Sequence, residues 1–127
     1  MTRISFIGYS LGGLIVRAAL LLLGDHKSKF YSLVTIGTPH LGYLYKKGAL
    51  FNTGMMLFNK LGEQRVLSQL RYADGNSIKD AYLYTLAENG DLGHFKNILL
   101  VSSSQDQWVP YDSARLQVPE EIKEDDY

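Results

Sequence analysis

Cysteine is absent from the 127 residues, which excludes a disulfide scaffold, a thiolate zinc site and a cysteine nucleophile at once. An excess of one charge is absent as well: 13 basic and 13 acidic side chains cancel, and the pI is near 6.8. With no broad positive field, nucleic acid is not expected as a partner. Long apolar runs are missing too. The run at residues 18–23 falls far short of the roughly 20 residues that span a bilayer, so no transmembrane segment is expected. Residues 1–3 lead straight into strand-like sequence, so no signal peptide is read. The three histidines form no HxxxH or HExxH pattern, and a metal site is not expected. What the chain does have is apolar side chain, 46% of its residues with 12% aromatic. That supports a core and excludes a wholly disordered chain. One domain fits the length, at roughly 100–200 residues per domain. The expectation is a single soluble, cytoplasmic α/β domain.

Strand-like and helix-like segments alternate. Residues 4–7 form a short apolar strand that runs into Gly8-Tyr9-Ser10-Leu11-Gly12-Gly13. Residues 14–23 follow as a helix, with Leu14, Ala18, Leu21 and Leu22 at helical spacing, Arg17 breaking the apolar surface and Gly24 as the stop. A second strand spans 31–36, and Gly37-Thr38-Pro39-His40-Leu41-Gly42 punctuates it as a loop. Residues 48–61 read as one or two short helices, 63–72 as a helix, and 78–89 as another with Ser77 as its N-cap. Residues 97–102 are the third strand, and 111–116 make one helical turn. The acidic tail over 117–127 is expected to be frayed. This alternation predicts right-handed crossovers and a parallel sheet. Three strands make a thin sheet of that kind, and Met1 precedes one that should be central.

Gly8-x-Ser10-x-Gly12 lies between a strand and a helix, the setting a nucleophile elbow requires. A serine at such a turn is pushed outward, and flanking glycines allow close backbone packing. Its Oγ stands at a helix N-terminus, where free N–H groups and the macrodipole favour negative charge. The N–H of Leu11 would face an oxyanion, and one such donor is worth roughly 3–4 kcal/mol in a working site. The plainer alternative is a glycine-rich turn needed only for packing. A serine needs a base oriented by an acid. Asp106, in the loop after the third strand, is the candidate acid; a turn-forming role is its alternative. Asp112 is a second candidate, beyond Pro110. All three histidines precede Asp106, against the Ser–Asp–His order of such enzymes. His26 reads as a surface residue and His94 as a core-edge or surface residue. His40 and Leu41 are placed to line the site, His40 more as a loop-shaping residue than as the base.

The stretch Ile4 to Arg17 resembles the elbow of the serine esterase family of lipase-like α/β-hydrolases, and more specifically the C-terminal domain of the FAM135 proteins. The resemblance continues through Thr35 to Gly42 and Lys47 to Gly54, and returns at Phe95 to Ser103 and Gln105 to Arg115. It implies a partial α/β-hydrolase fold whose N-terminal strands and final strand–helix unit are missing. It also implies a nucleophile at Ser10, an acid at Asp106 and a histidine base beyond Asp106, where this chain has an acidic end. Tyr9 stands where lipases usually carry histidine.

Two readings follow. In the first, the chain belongs to a lipase or carboxylesterase acting on a small-molecule or lipid ester, with the apolar stretch 43–61 as a cap or acyl-pocket wall and no cofactor. In the second, it is a non-catalytic α/β-hydrolase-like module that lacks the base and self-associates through exposed sheet edges.

Overall fold

A computed structural model describes residues 2–43, 64–90 and 92–118. Three strands, β1 (Ile4–Tyr9), β2 (Phe30–Ile36) and β3 (Asn97–Val101), pair in the order β1-β2-β3, all parallel. Helix α1 (Leu11–Leu20) connects the first two, and a 3-10 segment, Gly24–Lys29, leads into β2. Helices α2 (Gln64–Leu70) and α3 (Tyr82–Glu88) belong to the connection from β2 to β3, and α4 (Tyr111–Ala114) follows β3. The fold is a partial α/β fold of the expected kind. The expected helices at 48–61 and most of the acidic tail lie outside the described residues. No helix among the described residues is long and apolar enough to cross a membrane.

The sheet advances in one direction only. Right-handed crossovers taken repeatedly in the same direction lay every connection on the same face. Phe6, Leu33 and Thr35 point to that covered face. Phe6, Phe30 and Phe95 form an aromatic trio there, with Phe30 and Phe95 stacked at 4.9 Å and Phe6 edge-on to both. Leu20 and Leu33 complete this part of the core. A second cluster, Leu14, Leu70, Leu83 and Leu86, joins the first half of α1 to α2 and α3. Among the described residues nothing covers the opposite face, where Ile7 and Tyr9 are each 75% exposed beside Ile36, Leu99 and Val101.

Two helices differ from the sequence pattern, each for a local reason. The segment 78–89 is broken: Ile78–Asp80 is a 3-10 turn, Ala81 is extended at ψ 145, and α3 starts after it. Ser77 does not cap the helix; its hydroxyl donates to Asp80 Oδ2 at 2.9 Å, while Asp74 Oδ2 accepts the Tyr82 N–H at 3.0 Å. In α1 the buried residues are Gly13, Leu14, Arg17 and Leu20, whereas Leu22 beyond the helix is 87% exposed. Arg17 therefore does not break an apolar surface. It lies inside, 2% exposed.

Candidate active site

β1 runs on to Tyr9, and α1 starts at Leu11, so Ser10 alone makes the strand-to-helix turn. It does so at φ 52 and ψ −128, a backbone conformation that side chains other than glycine's rarely adopt. Pairing holds it there: the Ser10 N–H donates to the Ile36 carbonyl at 2.9 Å, one rung past the last strand pair. Two glycines make room for the turn. A Cβ on Gly8 would come within 2.5 Å of the Gly13 Cα, and one on Gly13 would run into Thr38. Gly12, by contrast, faces open space. The packing assigned from the sequence to the glycine two places after Ser10 thus belongs to the one three places after it. Leu11 is the first helical residue, so its N–H has no acceptor within the helix.

Asp106 is brought to the same end of the sheet. Tyr9, Ile36 and Val101 are in register across the three strands, and the Gly37 N–H donates to the Val101 carbonyl at 2.9 Å. Ser10 and the loop carrying Asp106 thus leave the sheet flush, two strand spacings or about 10 Å apart. Asp106 Oδ1 accepts the N–H groups of Trp108 at 2.8 Å and Val109 at 3.0 Å. Its Oδ2 faces Gly37, where a Cβ would sit 3.2 Å away and where φ is +54. One oxygen folds the turn and the other faces the end of β2, so the turn-forming role leaves one carboxylate oxygen outside the turn. Asp112 lies within α4, past Pro110.

His40 does not line an open site. It is 1% exposed. Its Nε2 lies 2.8 Å from Thr35 Oγ1, and its Nδ1 lies 3.4 Å from the Arg17 guanidinium, which also donates to the His40 carbonyl at 3.1 Å. Arginine only donates, so Nδ1 is the acceptor and the proton sits on Nε2, shared with Thr35. Burial, and then the Arg17 charge, pushes His40 down from 6.5 to about 4. It is a loop-shaping residue, with neither nitrogen turned to Ser10. Leu41 is tied back by its N–H to Ser113 Oγ at 3.1 Å. Neither residue lines the groove found beside α1. His26 and His94 precede β2 and β3, at the end of the strands opposite Ser10.

The chain belongs to a serine esterase family. The family model, described as Putative serine esterase (DUF676), matches residues 1–117. No solved structure matches the chain. For this member of the family that description supports a hydrolase-type function in general terms. Among the described residues no group of three or more histidine and carboxylate side chains could hold a metal.

Two neighbours of the site escape a reading by motif. Arg17 ties α1 to the loop after β2 and to α3, reaching the Leu86 carbonyl at 3.5 Å, with its Nε buried and unpaired. Burial lowers its pKa, opposed by Tyr72 and Tyr82. Tyr43 packs against the cluster around Leu14, and burial together with the Asp106 charge pushes its phenol up to about 12. It stays a neutral phenol near the candidate acid. No spacing rule would have singled out either residue.

Proposed function

We propose that the chain carries the nucleophile and the acid of a lipase- or carboxylesterase-type hydrolase, as part of a longer hydrolase domain similar to the C-terminal domain of the FAM135 proteins. Ser10 Oγ attacks the acyl carbon of an ester, a histidine oriented by Asp106 takes its proton, and the N–H of Leu11 holds the oxyanion. The proton passes to the leaving alcohol, and water then releases the acid and restores Ser10. The observation that carries this reading is the strained turn at Ser10, between a parallel strand and a helix, with Asp106 two strands away on the same edge.

A second reading rests on the histidines. His40 is enclosed and His26 and His94 lie at the other end of the sheet, so none of the three supplies the base. On this reading the chain is a binding or assembly module that uses the sheet face left uncovered by the described residues, and the edge of β1, for self-association. One experiment weighs the two: the folded chain is treated with an organophosphorus probe and its intact mass read beside a Ser10→Ala control. A single adduct lost in the control supports the hydrolase. A folded chain with no adduct favours the assembly module for these residues and leaves the hydrolase reading to a histidine outside them.

A further inference from the structure

A groove of about 200 Å³ opens beside the elbow, between Leu11, Ile15 and Ala18 of α1, Val66 and Leu70 of α2, and Leu83 of α3. Its polar-bearing wall residues are Gln69 and Tyr82, and none of its described lining residues is charged. Leu11, Ile15 and Ala18 lie four and three residues apart, on one face of α1. The groove thus follows the helix axis away from Ser10 for about 10 Å, at 1.5 Å per residue. Leu11, the residue after Ser10, lines the end of the groove nearest the turn.

We infer that this groove is the acyl-binding site, and that it takes uncharged aliphatic acyl groups of up to about eight carbons. The inference rests on the hydrolase reading above and deepens it. The size follows from volume: an apolar cavity of roughly 150 Å³ holds benzene, six carbons, so about 200 Å³ holds about eight. The selectivity follows from the wall. Each methylene taken from water into an apolar groove gains about fourfold in affinity, whereas a charged chain end would lose its water with no countercharge in exchange.

The test reads binding and turnover separately. Octanoate is titrated into the chain and followed by amide NMR, and p-nitrophenyl esters from acetate to palmitate are assayed in parallel. Ile15→Asp places a carboxylate in the groove at a position that is 67% exposed, so the fold survives it; Ala18→Phe fills the same space from within. Octanoate is expected to move the resonances of Leu11, Ile15, Ala18 and Val66, and Ile15→Asp to weaken it at least tenfold. Where the chain cleaves esters, kcat/KM is expected to rise about fourfold per methylene up to octanoate and to fall by palmitate, with Ala18→Phe moving the optimum to shorter chains. Octanoate that perturbs nothing along α1 overturns the inference. Esters cleaved with no dependence on chain length, in the wild type and both variants, also overturn it while leaving the hydrolase intact. Octanoate seated in the groove, with no ester cleaved and no adduct at Ser10, supports the acyl site and leaves this chain without catalysis of its own, as expected where none of its three histidines is the base.

Discussion

Ser10 sits in its strained conformation because its neighbours give it no other, and the two glycines that follow it have different tasks. Gly13 packs against Thr38, which is fully buried, so Gly13→Ala must push apart the elbow and the loop after β2. A loss of about 2–3 kcal/mol is expected, typical of overpacking at a tight contact. Gly12→Ala meets nothing and removes a glycine from a helix, so it should gain about 0.5–1 kcal/mol. Urea unfolding of the two variants checks the contrast. The five-residue pattern made Ser10 legible, because strand, glycine and helix all point to one turn. It did not make the glycine roles legible, since both residues lie in the same sequence context and only packing in space separates them.

At the scale of elements, the three strands and α1 could be read from alternation and spacing, and their observed bounds differ by a few residues. Arg17 was read the wrong way because a charged side chain on an apolar helix normally marks the wet side. Here it is buried because backbone carbonyls at His40 and Leu86 take its N–H groups. The same network holds His40 neutral, and that has a consequence for pH. The unfolded chain takes up a proton near the ordinary value of 6.5, while the folded chain resists until about 4. The unfolded state therefore binds more protons in between. Stability that is fully present above 6.5 is lost as pH falls toward 4, by up to about 3 kcal/mol. Denaturant midpoints measured from pH 7 to pH 4 should fall accordingly, and a His40→Asn variant should show a shallower dependence in that window. The broken helix at 78–88 was illegible for a related reason: Asp74, eight residues before Tyr82, caps it from the spatial side, and spacing rules see only sequence neighbours.

For the whole molecule, the direction of winding matters more than any single contact. Parallel sheets are ordinarily buried on both faces, and this one presents Ile7, Tyr9, Ile36, Leu99 and Val101 in a single patch. Apolar strand sequence by itself fits burial on both sides. Composition cannot say that three strands laid down in one direction place all their connections on one face. The patch is expected to draw copies of the isolated chain together. Ile7→Lys with Leu99→Lys should shift its sedimentation toward the monomer while leaving its circular dichroism unchanged, because both side chains project away from the described core.

The rungs beyond the strand ends have a further consequence, which concerns motion. The Ser10 and Gly37 amides each bond to the neighbouring strand at 2.9 Å, although both residues are loop residues by position. Their hydrogens should exchange with solvent at the slow pace of the sheet, released only when the strands part. The Leu11 amide, one residue along, should exchange quickly. A slow amide immediately followed by a fast one would mark, on a single strip of backbone, where the rigid frame stops and the part that can meet a substrate begins.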